Sequence, residues 1–270
     1  MRALIPALLA PVLLAAAVAV PVAVVAAPSG LEAILAGPQR SEVNRARDQY
    51  RHPLKTLEFF GIKPTMTVVE IWPAPGWYTE ILAPYLRDKG LYIAAGSDPS
   101  TENGAKNVAK FKAKLDADPA NYGKVQVTAF SKTAFDIAPA GSADMVLTFR
   151  NIHNFYIGGY APAAFQSFYK ALKPGGTLGI VEHRLPESRD SADQDKSGYM
   201  KVSTVMKMAK DAGFKFVAAS EVNANPKDKA DYPDGVWTLP PSYARGEADK
   251  ARYAAIGESD RMTLKFVKPK

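Results

Sequence analysis

The chain has 270 residues, 34 Lys and Arg against 27 Asp and Glu, a formal charge of +7, and a composition that is 47% hydrophobic and 23% charged. Those values belong to an ordinary globular protein with a sizeable core, so disorder is not its default state. The lysines are scattered, as in Lys106, Lys110, Lys112 and Lys114, which reads as a solvated surface rather than a nucleic-acid footprint; the lack of cysteine removes disulfides, thiol catalysis and a lipidated N-terminus.

Arg2 precedes an apolar run from Leu4 to about Ala27, and Val24-Val25-Ala26 or Val25-Ala26-Ala27 offers the small residues of a cleavage site. Residues 1–27 therefore read as a signal peptide, and the protein is expected to be periplasmic or secreted. Pro6, Pro11 and Pro21 favour a removable signal; membrane contact is expected only if the leader is kept as an anchor. Residues 28–60 read as an N-terminal helical lid segment. Ser41 suits the N-cap of one short helix, and Pro53 opens another in which Leu54, Leu57 and Phe60 share a face before Gly61 stops it. The string RDQYRHP, with Arg47, Asp48, Arg51 and His52, either faces a pocket or is a salt-bridged helix end.

From residue 61 to 270 strands and helices alternate, the pattern of a mostly parallel sheet in one α/β domain. Val68, Val69 and Ile71 mark a first strand ending near Glu70, a turn follows, and Glu80 to Leu86 is the first flanking helix. Further strands are expected at Leu91–Ala95, Val125–Phe130, Asp144–Phe149, Thr177–Val181, Phe214–Ser220 and Met262–Val267, the last pairing antiparallel. Helices fall at Asn103–Leu115, Ala161–Leu172 and Lys201–Ala212, and the polar stretch Asn223–Gly257 reads as a surface excursion. In open sheets of this kind ligands bind beyond the carboxyl ends of the strands. The first turn, Trp72-Pro73-Ala74-Pro75-Gly76, has a single glycine where nucleotide-binding loops often have two or three, so it is stiffer and offers fewer backbone N–H groups.

VVEIWPAPGWYTEIL, Asp98 after the second strand, SADMVLTFRNIHNF and ALKPGGTLGIVEHR together resemble class I S-adenosylmethionine-dependent methyltransferases. RHPLKTLEFFGIKP with GWYTEILAPYL is similar, more narrowly, to a bacterial group of exported methyltransferase-like proteins, and the likeness runs from Arg47 to Lys270. The resemblance implies a Rossmann-like seven-stranded sheet of order 3-2-1-4-5-7-6 with the last strand antiparallel and helices on both faces. It implies S-adenosylmethionine as cofactor. Glu70 and Gly76 fall in its first motif, and Asp98 would accept the ribose hydroxyls. Phe130 and Ser131 would lie near the adenine, and Arg150 and Asn151 near the methionine end or the substrate.

Methyl transfer depends on alignment, and a base is needed only where the acceptor must lose a proton. The three histidines are His52, His153 and His183. His153 and His183 follow the fourth and fifth strands and are the candidate catalytic bases, while His52, Asn154, Tyr156 and Glu182 are candidates for binding substrate. No HxH or HExxH spacing points to a metal, and neither GxxxxGK[ST] nor GxGxxG is present. The reading is an exported methyltransferase-like protein acting on a small molecule, without nucleic acid. The alternative is a non-catalytic periplasmic binding protein that keeps the fold.

Overall fold

The computed structural model describes residues 30–73 and 75–270, so the signal-peptide reading of residues 1–27 lies outside the described residues. Among these, no helix is long and apolar enough to cross a membrane.

Eight strands form the sheet: β1 (Thr67–Ile71), β2 (Leu91–Gly96), β3 (Gln126–Ala129), β4 (Ala143–Phe149), β5 (Leu172–Leu185), β6 (Met200–Lys201), β7 (Lys215–Ser220) and β8 (Arg261–Val267). Their order is β3-β2-β1-β4-β5-β8-β7, with the two-residue β6 beside β5. Pairing is parallel from β3 through β5, and β8 runs antiparallel to both β5 and β7. With β6 set aside, this is the order expected from the sequence.

Alternation along the strands divides the hydrophobic residues between two cores. Val69, Ile71, Ile93, Ala95 and Val146 face a cluster shared with the Ala161–Ala171 and Val202–Asp211 helices. Val68, Tyr92, Ala94, Met145 and Leu147 face the other, shared with the Pro53–Phe60, Thr79–Leu86 and Glu102–Ala117 helices. Because side chains on a strand have period two, a one-residue slip would exchange the two faces, and burial on both sides fixes the register.

The N-terminal segment is part of the second core through Leu31, Leu57 and Phe60. Gly61 ends the Pro53–Phe60 helix at φ 82°, a conformation glycine adopts without strain. Asn223 pins that helix to the last strand, its buried amide donating to Thr56 Oγ1 at 3.0 Å and to Thr263 Oγ1 at 2.9 Å.

Two expectations are corrected. β5 is much longer than Thr177–Val181: before it, Gly175 N donates to Lys268 O and Lys268 N to Gly176 O, and beyond it Glu182 and His183 pair with β8 and Arg184 and Leu185 with β6. The Asn223–Gly257 stretch is also less superficial than its polarity suggests. Ala230 and Val236 pack with Leu185 and Tyr199 in a small third cluster, and Tyr199 donates to the buried Asp228 carboxylate.

Candidate functional site

Two neighbouring regions at the carboxyl ends of the strands hold the chemically active side chains. β1 lies between β2 and β4, and the helices that follow β1 and β4 pack on opposite faces of the sheet, which opens a crevice at the carboxyl ends of these strands. On the β1–β3 side this crevice is a cavity of ≈ 510 Å³ bordered by Trp72, Asp98, Phe130, Ser131, Asn151 and Tyr160. Small-molecule sites commonly occupy roughly 300–1,000 Å³.

Trp72 stands directly after β1 with φ 49°. Its indole Nε1 donates to Phe130 O at 2.8 Å, and its ring meets Phe130 and Phe155 edge-on. The bulky residue in the glycine-poor turn therefore folds against the first core and forms a wall of the cavity while leaving its interior open. Asn151 Nδ2 donates to Ile71 O at 2.9 Å and ties the end of β4 to that of β1.

Asp98 projects from the loop after β2. It accepts from Ser100 N at 2.9 Å and from Ser131 Oγ at 2.9 Å, with Thr133 Oγ1 at 3.4 Å. The Ser100 bonds first, then Ser131, hold its carboxyl below the usual range, so it is an anion that accepts hydroxyl donors. Gly104 allows the first turn of the Glu102–Ala117 helix to rest on this loop, since a Cβ there would stand 1.8 Å from Asp98 O.

The second region lies beyond β4 and β5. His153 Nδ1 is 3.0 Å from Glu182 Oε1, and the backbone N–H groups of His153 and His183 both donate to that carboxylate. His183 Nδ1 meets Ser259 Oγ at 2.5 Å. Burial, then His153 and the arginines Arg261, Arg150 and Arg51, push the His183 pKa well below its ordinary value, so this ring is neutral. Arg47 and Arg51 donate to Glu258 at 2.6 and 3.2 Å, and Arg261 makes a third, very short bond to it. The N-terminal segment and the start of β8 are thereby fastened together over the ends of β4 and β5. Burial pushes the Glu258 carboxyl up, but Arg261, Arg51, Arg150 and Arg47 outweigh it and hold its pKa at about 2.

The sequence candidates fall into three groups. Asp98, Phe130, Ser131 and Asn151 border the cavity. His153, Glu182 and His183 form one cluster, with Arg150 beside it in the arginine group. Glu70, Gly76, His52, Asn154 and Tyr156 line neither. Glu70 is 3% exposed, receives the Tyr92 hydroxyl at 2.6 Å, and is raised by burial to about 7. Gly76 sits at φ 95° against Lys114, His52 has a buried Nδ1 without a partner, Asn154 is exposed, and Tyr156 packs on the first core.

Sequence reading passed over Tyr160, Thr101, Asn107, Lys132 and the whole Glu258–Arg261 segment. Thr101 has a legible signal, an N-cap before a helical run, whereas the others converge only through the fold. The same is true of metal-binding potential. His153, Glu182 and His183 offer ligand atoms within 4.8 Å of one another without any local motif, although the adjoining arginines oppose a cation there.

No family model and no curated protein matches this chain. Solved structures do. A SAM dependent methyltransferase from Aquifex aeolicus superposes with a TM-score of 0.56 at 16% identity, over 83% of this chain and 93% of that one. The cyclase SpnF gives 0.55 at 15% identity, over 86% and 84%. The arsenic(III) S-adenosylmethionine methyltransferase CrArsM from Chlamydomonas reinhardtii gives 0.52 at 14%, over 91% and 75%. A cyclase among methyltransferases shows one sheet serving different reactions. The likeness establishes the fold of this chain: the Rossmann-like class I methyltransferase sheet.

Proposed function

We propose that this protein transfers a methyl group from S-adenosylmethionine to a small molecule. The observation that carries the reading is the cavity rimmed by Asp98 at the point where the sheet's connections diverge. Its residues suit a nucleoside: a carboxylate for a diol, the Phe130 and Trp72 rings for a base, and Asn151 toward β4. When bound, S-adenosylmethionine supplies an electrophilic methyl on a sulfonium. The chain's own contribution is alignment and proton handling. The Glu182 carboxylate holds the Nδ1 proton of His153, which leaves Nε2 as the base for an acceptor O–H or N–H. Glu182 is in this reading a positioning residue for His153, while the neutral His183 is held by Ser259.

The reading includes export, supported by Arg2 and the apolar run from Leu4 to Ala27. N-terminal mass spectrometry of the protein from a periplasmic extract would yield a chain starting near Pro28, and a retained Met1 in the cytoplasmic fraction refutes it.

Calorimetry with S-adenosylmethionine and S-adenosylhomocysteine tests the donor site. Saturable binding is expected, and no heat at roughly millimolar ligand sinks the proposal. The ionic fastening of the N-terminal segment over β4 and β5 supports a second reading, a binding protein that keeps the cavity without turnover. Methylation of any acceptor that grows with time eliminates it.

A further inference from the structure

The arginines around Glu258 carry more positive charge than the carboxylates beside them return. Arg47, Arg51 and Arg261 all direct nitrogens at the single carboxylate of Glu258. Arg150, at the end of β4, makes no side-chain hydrogen bond or ion pair among the described residues, and it is partly exposed. Arg47 retains a buried nitrogen, Nη2, without a partner. Unpaired buried charge is costly, and a net positive pocket is stabilised by an anion that completes it. Burial and the other arginines lower the pKa of both Arg51 and Arg150, a sign of the same uncompensated field.

Building on the methyl-transfer reading above, we propose that the acceptor is an organic oxyanion whose carboxylate or phosphate is received by Arg150, with Arg51 and Arg261 behind it. The donor supplies the missing charge poorly. S-adenosylmethionine has one carboxylate but also an ammonium and a sulfonium, so it adds positive charge overall. A divalent cation at His153, Glu182 and His183 would deepen the imbalance, because Arg261, Arg150 and Arg51 all act on His183. An oxyanion relieves it, and guanidinium groups match carboxylate and phosphate in both charge and geometry. The placement also suits transfer. Arg150 precedes Asn151 of the donor cavity and acts on His183 of the imidazole pair, so an acceptor anchored there lies between donor and base.

The test is calorimetry of the whole protein with malonate and inorganic phosphate at fixed ionic strength, with S-adenosylhomocysteine titrated separately. The wild type is expected to bind at least one oxyanion with Kd below ~1 mM, and Arg150→Gln to weaken it by roughly tenfold or more. The same variant should change S-adenosylhomocysteine affinity by less than about threefold, and Lys132→Gln, in the donor cavity, should leave oxyanion binding intact. If neither probe binds below ~10 mM, or Arg150→Gln binds both as the wild type does, the inference is overturned. A variant that loses only S-adenosylhomocysteine overturns it too, by assigning Arg150 to the donor. Arg150-dependent oxyanion binding without any S-adenosylhomocysteine binding upholds the anion site and removes the methyl-donor reading instead. Should Arg150→Gln fail to fold, phenylglyoxal labelling of the wild type decides: malonate is expected to protect Arg150, and unchanged labelling refutes the site.

Discussion

Glu258→Gln is the sharpest perturbation of the ionic centre, because it keeps the shape of the side chain and removes the one carboxylate that three arginines share. A free glutamate has a pKa of about 4.3, and Glu258 is held at about 2. At 1.36 kcal/mol per pH unit the difference amounts to about 3 kcal/mol of folding free energy, the low end of what breaking a buried pair costs. A carboxyl whose pKa is depressed on folding contributes fully above its unfolded pKa and loses that contribution as pH falls toward the folded value. Urea unfolding at pH 7 should therefore separate wild type and variant by about 3 kcal/mol, or roughly 6–12 °C in Tm. Near pH 3 the separation should fall to less than about half, since the wild-type group is then partly neutralised in the unfolded chain's favour. A difference under about 1 kcal/mol at pH 7, or one that does not shrink on acidification, refutes the argument.

Other substitutions probe the neighbouring groups with opposite signs. Glu70 is raised to about 7 by burial, so its ionisation opposes folding progressively from about pH 4.3 to about pH 7; Glu70→Gln should be more stable than wild type at about pH 8 and indistinguishable below about pH 4, by urea unfolding. Asp98→Asn should weaken S-adenosylhomocysteine by roughly tenfold in calorimetry while unfolding stability moves by less than about 1 kcal/mol. Trp72→Ala removes a half-buried ring, its bond to Phe130 and one wall of the cavity, with an expected loss of about 2 kcal/mol in chemical unfolding and weaker S-adenosylhomocysteine binding in calorimetry.

The sheet was readable in the sequence because burial on both faces writes itself locally: Val68, Val69 and Ile71 supply both cores from one strand. Asp98 and Asn151 were readable through the family resemblance, and each stands two residues beyond such a strand. The ionic centre was not. Arg47, Arg150 and Glu258 sit in three separate connections with no shared spacing, and Glu258 follows a polar stretch whose composition resembles surface. The single-glycine turn was readable as stiff and poor in N–H groups, but where its Trp72 would lie was not: the indole has its own hydrogen bond and an aromatic bed, facts of packing that no local pattern contains.

The bonds from Arg47 and Arg51 to Glu258 join residues 211 and 207 positions apart. Contacts of that span form only after the intervening chain has been gathered, so the entropy of closing it is met before they return any energy. The ionic centre over the ends of β4 and β5 therefore closes only when the N-terminal segment and the final strand have both reached the sheet. The cavity beside Asp98 draws its lining from residues 72 to 160 instead, so the two regions of the site depend on chain segments of very different span.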